Sequence, residues 1–588
     1  MRSSLKKVPT LLFFMMLASF LGQSCKKAPV FGGFSSESGG ANGGGKKGGG
    51  SGSGKGGGTG GTGGGGGGGT PLGSEPQCAD PEGNKGMRSL RRLSNIEFKN
   101  TVAQFFPAVS GLDFSGLSTD TPAREAFDTM NVQPNFITDE RFRGYVRFAE
   151  SLSSKVDPAK VFACYKDGKS CFQAKLPEVL TNLWRRPPVQ AEIDDLIATY
   201  DAVIKDKVPT DTAARFLIQA MVLSRGFVYR TELGTKKDAV YVLTPWEVAS
   251  ALSYGLTRKP PDATLLSLAK DGSLSKAAVV KAQVQRLLAD ESNKSAWKEF
   301  GTMWLEANRI NDKRENNPKY PAAVKKDLEN SMSDFFTSVF YSKNSSFLEL
   351  LNADYTLAGS STDFIYGAKA ENGKVNYKEA ERRGLLGNGN FLVGNALEDG
   401  PNPIKRGVFV LDRLLCISFA PPPDTTPPAV NMGKTNKERF ANHSNGSCKA
   451  CHVYIDEAGF AFEHFDQDGA FRTMDAGKPV VVDSKLTIDD EPRTFTSPEQ
   501  LSLAIGESRQ GKECFARQAF RYTMGRMEHY PHLTVGGKIE DKFEAEGKLD
   551  ACQISAMADA MEAKSGDMRE GILALFTNPG FLNRIEGQ

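Results

Sequence analysis

Apolar residues recur along most of the chain at three- and four-residue spacings, the pattern of helices with one buried face. Leu90-Arg91-Arg92-Leu93 leads into Ser94-Asn95-Ile96-Glu97, a Ser-x-x-Glu capping box, and apolar residues follow at Val102, Phe105 and Phe106. An amphipathic helix is therefore predicted from about Asn95. Between Cys164 and Val203, the residues Leu176, Val179, Leu180 and Leu183 mark one helix, which Pro187 and Pro188 break after Trp184-Arg185-Arg186. Ile193, Leu196, Ile197 and Tyr200 mark the next, as core positions.

Thr244-Pro245-Trp246-Glu247 joins a capping threonine, proline at the first helical position and glutamate three residues after the cap. The helix it opens carries Val248, Ala251, Leu252 and Tyr254. Helical spacing continues through Leu265 to Leu288, Trp297 to Leu305 and Met332 to Phe347, whereas strand-like alternation is confined to Val480 to Leu486. Prolines at 421–423 and 427–428 predict an extended linker, since proline fixes φ and cannot continue a helix. Beyond it, Thr435-Asn436-Lys437-Glu438 is another capping box, expected to start a short helix that carries Phe440 and His443.

The fold class expected is mainly α, a multi-domain helical body ending in a helical module. The expected divisions are a signal peptide at 1–24, an anchor and Gly-rich tether at 25–77, helical domains at 78–160, 161–235 and 236–375, a segment ending in the Pro-rich linker at 376–430, a segment at 431–500 and a helical domain at 501–588.

Composition changes the picture mainly at the N-terminus. Arg2, Lys6 and Lys7 precede an apolar run from Leu11 to Phe20 and the small residues Gly22 and Ser24, as in a secretory signal. That run is shorter than the roughly 20 residues needed to span a bilayer. Cys25 resembles the lipidated cysteine of bacterial lipoproteins, although Gly22 and Gln23 depart from the usual residues there; simple cleavage after Ser24 is the alternative. Lys26 lacks the aspartate associated with inner-membrane retention, so the resemblance implies an outer-membrane lipoprotein or a periplasmic protein, held to the membrane by its lipid. From Phe31 to about Ser74 the chain is mostly Gly with Ser, Thr and a few Lys, which cannot bury apolar surface. A coil of that length reaches about 35 to 40 Å and reads as a disordered tether.

A net charge of +3 over 588 residues, with no basic run beyond the signal and tether, argues against nucleic acid as a partner. Nine cysteines in an exported chain suggest disulfides. Setting aside Cys25, Cys448 and Cys451 leaves Cys78, Cys164, Cys171, Cys416, Cys514 and Cys552, an even set. Closeness in sequence favours Cys164 with Cys171, and a shared helical module favours Cys514 with Cys552, which leaves Cys78 with Cys416.

The candidate chemistry lies in Cys448-Lys449-Ala450-Cys451-His452. Cys-x-x-Cys-His is the attachment sequence of covalent c-type haem, so 431–500 is expected to be a haem-binding segment in a cytochrome c-like helical haem module. Each thiol adds across a porphyrin vinyl group, and the adjacent imidazole supplies the proximal iron ligand. With five histidines and nine cysteines, chance predicts about one such match in a thousand chains of this length. A disulfide loop or half of a zinc site are the alternatives; zinc needs two further Cys or His ligands, and there is no second Cys-x-x-Cys. All five histidines follow the proline linker. For the distal iron position the candidates are His443 first, then Met474, with His464, Met524 and Met527 behind them. His529-Tyr530-Pro531-His532 reads as a solvated turn.

The chain resembles the secreted planctomycete-type cytochrome c proteins built from several domains of unknown function. The likeness runs through Leu90-Arg91-Arg92-Leu93, Trp184-Arg185-Arg186-Pro187, Leu243 to Ala249, Gly384-Leu385-Leu386-Gly387, Pro403 to Gly407 and the Pro421 run. It is strongest at the haem pentapeptide with Ile455-Asp456, Gly459 to Glu463 and Phe465-Asp466, and ends at Cys514-Phe515, Tyr522 and Gly525-Arg526.

The function expected is electron transfer by a monohaem c-type lipoprotein, with one covalent haem c. Cys448 and Cys451 hold it, His452 ligates iron, and Phe460 and Phe462 exclude water. The partners expected are a redox protein or an unknown small-molecule or polysaccharide substrate. The alternatives are a haem oxidoreductase whose helical body binds a substrate, and a non-redox surface interaction protein with a structural Cys/His segment. No histidine precedes the linker, so a Ser/His/Asp triad is excluded from the body.

Overall fold

The computed structural model describes residues 86–120, 127–130, 137–312, 317–419, 434–441, 448–528, 533–535 and 550–586. The expected signal segment and tether, Cys25, Cys78, the proline run, His443, His529 and His532 lie outside them.

Helices dominate, and their starts follow local capping chemistry. Asn95–Phe105 begins at the Ser94/Glu97 box and Pro245–Thr257 at the Thr244/Glu247 box. Asn436–Phe440 begins at Thr435/Glu438 as the short helix expected there and carries Phe440, while His443 lies outside the described residues. Lys169–Trp184 terminates where Arg185 turns left-handed, and the Gln190–Lys205 helix buries Ile193, Leu196, Ile197 and Tyr200. The span 265–288 forms two helices, Ala263–Lys270 and Ala277–Ala289, because Gly272 at φ +80° breaks the run. The span 332–347 is likewise divided between Ala322–Phe340 and Phe347–Asn352. The expected strand lies slightly later, as the hairpin Ser484–Ile488 with Glu491–Phe495.

Two large cores organise most of these elements, beside a smaller cluster around Tyr320, Tyr366 and Val393. One joins Leu93, Phe98, Phe148, Phe172, Leu217 and Phe227. The larger draws on Leu252, Trp297, Trp304, Phe336, Phe391, Phe462, Phe515 and Phe576. Tyr254 belongs to the first core although its helix also builds the second, so the Pro245–Thr257 helix is shared between them.

Two small sheets unite distant parts of the chain. Asn583–Ile585 pairs parallel to Gly86–Met87 and antiparallel to Val240–Val242, while Ser89–Arg92 pairs antiparallel to Tyr229–Glu232. Glu232 locks this junction, accepting from Arg91 at 3.3 Å and Arg584 at 2.8 Å. Burial opposes ionisation of Glu232, but the two guanidiniums outweigh it and hold the carboxyl down at about 2.

Cys164 pairs with Cys171 as expected. The other expected pairings are corrected: Cys514 pairs with Cys416, whose Cα is 5.2 Å away, because the end of the 410–414 helical turn packs on the Arg509–Met524 helix. Cys416 is thereby unavailable to Cys78, and Cys552 is itself disulfide-bonded. No helix among the described residues is long and apolar enough to cross a membrane.

Candidate functional site

Lys449–Phe460 is a helix with Cys448 in the capping position, itself in right-handed helical conformation. Cys448, Cys451 and His452 stand at i, i+3 and i+4, so the pentapeptide presents both sulfurs and the imidazole within one turn. Both thiols are free and half-buried, whereas the other cysteines among the described residues are disulfide-bonded. The small-loop disulfide alternative is not what forms. Burial, with Cys448 adding to it, pushes the Cys451 thiol up. No group of three or more His, Cys, Asp or Glu side chains suited to a metal ion occurs among the described residues.

His452 does not float in this turn. Its Nδ1 lies 2.9 Å from a carboxylate oxygen of Asp456, one helical turn on, with both side chains largely buried. A ring that donates its Nδ1 proton to a carboxylate carries its lone pair on Nε2, the arrangement that orients a metal-binding histidine. Two reduced thiols and an imidazole in this state fit covalent haem. The i+4 spacing of Asp456 from His452 is the sequence signal for this pair.

The motif helix is anchored by close backbone contact. A methyl group on Gly459 would lie 1.8 Å from the carbonyl oxygen of Pro403, and one on Gly407 would lie 2.0 Å from that of Ile455. Glycine at both positions lets the Pro403–Phe409 helix and the motif helix touch along their backbones. Arg406, fully buried, then donates to the carbonyls of Leu392, Phe462, Phe465 and Asp466 at 2.7–3.1 Å. This one side chain fixes the loop that leaves the motif helix. Arg382 similarly reaches the carbonyls of Gly387 and Gly469.

The aromatic residues expected to exclude water divide. Phe462 is fully buried against Phe391, with ring centroids 5.1 Å apart, and belongs to the common core. Phe460 is half-buried with the Lys437 ammonium 5.8 Å from its ring. The segment before the motif is tied to the segment after it through Asn436. Its side-chain amide donates to Glu463 at 2.7 Å, and its backbone N–H donates to Asp475 at 2.5 Å. Burial raises the Glu463 carboxyl, against the pull of Arg472 at 3.0 Å.

Among the distal candidates, His464 has its Nδ1 bonded to Glu381. Met474 is 51% exposed, on a two-residue strand paired with Lys478–Pro479 and adjacent to Asp475, which grips Asn436. Its hairpin is therefore docked on the helix that precedes the motif. Met524 instead lines a cleft with Gly86, Arg91 and Glu232, and Met527 packs half-buried on the larger core.

Comparison with known proteins reaches part of the chain. Residues 243–368 match the family model PSD4, a protein of unknown function (DUF1592), and residues 382–475, which include the pentapeptide, match PSCyt3, a protein of unknown function (DUF1588). No curated protein and no solved structure matches the chain. Two stretches of the chain are thus similar to two families of unknown function.

Proposed function

We propose that the protein is an exported monohaem c-type cytochrome that transfers electrons in the periplasm or at the outer membrane. The carrying observation is the turn Cys448–Asp456, where two free thiols share a helix with an imidazole whose Nδ1 is held by a carboxylate. The label of the matched PSCyt3 family points the same way. Haem attached through Cys448 and Cys451, with His452 as proximal ligand, supplies a one-electron iron couple. Asp456 orients His452 and raises the basicity of its Nε2. Gly407, Gly459 and Arg406 hold the helix in place, so that the ligand does not reorganise when the charge changes. His443 is the first distal candidate and Met474 the second. Cys25 is the proposed lipid anchor, and the partner is a redox protein.

The test is expression of the mature chain with the c-haem maturation machinery, followed by its visible spectrum and acid-acetone extraction. Haem that resists extraction, with a low-spin spectrum, is expected. A protein that matures without haem overturns the proposal, and a five-coordinate high-spin spectrum replaces electron transfer by haem catalysis. Loss of the low-spin bands in His443→Ala assigns the distal ligand; unchanged bands exclude His443.

A further inference from the structure

A closed ring of polar groups joins the two segments that flank the motif helix. Asn436 donates its side-chain amide to Glu463 Oε1 at 2.7 Å and its backbone N–H to Asp475 at 2.5 Å. Arg472 completes the ring, donating to Glu463 Oε2 at 3.0 Å and to Asp475 Oδ1 at 2.8 Å. A further bond from Arg472 Nε to the Glu463 carbonyl, at 2.9 Å, fixes the guanidinium on that segment. Glu463, Arg472 and Asp475 follow the pentapeptide in the chain, whereas Asn436 precedes it. Asn436 is therefore the member of the ring that reaches across the motif.

Its place matters because both leading candidates for the distal iron position adjoin the ring. Asn436, 1% exposed, opens the helix Asn436–Phe440, and His443 follows three residues after that helix. Met474 shares a two-residue strand with Asp475. Whichever of the two supplies the ligand, Asn436 ties its segment to the other. The neighbouring tie, Lys478 to Glu438 at 2.6 Å, is between exposed side chains, where an ion pair contributes little. The Asn436 Oδ1 is buried with no hydrogen-bond partner, which costs stability. An apolar residue of the same size would avoid that cost and lose the link to Glu463.

We propose that Asn436 is a positioning residue for the distal side of the haem, setting the hold of the sixth ligand on iron through its bond to Glu463. This rests on the haem reading above. Breaking the bond lets the two flanking segments separate, so the distal ligand is more easily displaced, while Cys448, Cys451 and His452 keep the haem attached. Loss of one buried hydrogen bond to a carboxyl group shifts such an equilibrium roughly tenfold.

The matured parent and its variants are compared by intact mass, by ferric visible spectrum and by titration with imidazole, which competes with the protein's own sixth ligand. Asn436→Ala should keep one covalent haem, gain a high-spin band and bind imidazole roughly tenfold tighter than the parent. Glu463→Ala should behave alike, and the double variant no more strongly than either single one, because both lose the same bond. Glu463→Gln keeps an oxygen for the Asn436 amide and should bind imidazole like the parent. Asn436→Leu keeps the volume and should repeat the Asn436→Ala result, which separates the lost bond from a packing defect. Haem-loaded Asn436 variants with the parent's spin state and imidazole affinity overturn the proposal and leave the haem reading standing. So do a double variant that sums the two effects, a haem-loaded parent that is already five-coordinate, and Asn436→Ala and Asn436→Leu chains that both fail to fold, which would assign Asn436 to the fold alone. A parent that matures without haem overturns both readings.

Discussion

Adding one methyl group at Gly459 tests whether backbone contact fixes the motif helix. The new Cβ would sit 1.8 Å from Pro403 O, 2.5 Å from its carbonyl carbon and 2.8 Å from its Cα, all backbone atoms that cannot rotate away. An ordinary carbon–oxygen contact is about 3.3 Å, so the two helices must part by about 1.5 Å. Overpacking of this kind is destabilising by about 1–3 kcal/mol, and a backbone obstacle places it at the upper end. Replacing glycine by alanine in a helix returns at most about 1 kcal/mol. The clash wins, and Gly459→Ala should be less stable by about 2 kcal/mol. Gly407→Ala meets Ile455 O at 2.0 Å and should behave alike. Once the helices have separated for one methyl, the second enters more easily, so the double variant should lose about 3 kcal/mol rather than the sum. Urea unfolding of parent, single and double variants, followed by circular dichroism, measures this. A Gly459→Ala protein more stable by about 1 kcal/mol, as at an unpacked helical glycine, would refute the close-contact argument.

Glu299 gives a pH signature. Burial raises its carboxyl from 4.5 to about 7, and its Oε2 has no hydrogen-bond partner. The folded state then binds the proton more tightly than the unfolded state, so stability is full below about 4.5 and is lost as pH rises through 7, by about 3 kcal/mol at most. Thermal melts of Glu299→Gln should therefore exceed the parent at pH 8 and match it at pH 4; equal melts at both would remove the claim. Cys416–Cys514 closes a span of 98 residues that contains the haem motif, and Cys416→Ser with Cys514→Ser should lower stability by about 4 kcal/mol in denaturant titration. In the haem-loaded protein, Asp456→Asn should raise the midpoint potential by roughly tens of millivolts, because a weaker acceptor at Nδ1 makes Nε2 a poorer donor to ferric iron. An unchanged potential in spectroelectrochemical titration would mean that Asp456 does not tune the ligand.

What could be read from the sequence was local. Ser94 with Glu97, Thr244 with Glu247 and Thr435 with Glu438 each start a helix where expected, because a capping box satisfies its own N–H groups within four residues. The spacing of Cys448, Cys451 and His452 marked the candidate site, while the free thiols and their shared helical turn are seen only in the structure. Long-range pairing was not legible. Strands of two to four residues, such as Asn583–Ile585, carry too little pattern to signal a partner at Gly86–Met87. Cys514 and Cys552 share a helical pair but not a bond, because the packing of 410–414 brings Cys416 nearer. Asn436, a polar residue in a capping box, reads as surface until the fold brings Glu463 and Asp475 to it.

The most direct measurement is the intact mass and pyridine haemochrome content of the matured protein beside a Cys448→Ser/Cys451→Ser variant. The haem assignment predicts one covalent haem per chain in the parent and none in the variant. A parent whose mass carries no haem, or a variant that retains it covalently, would contradict the assignment.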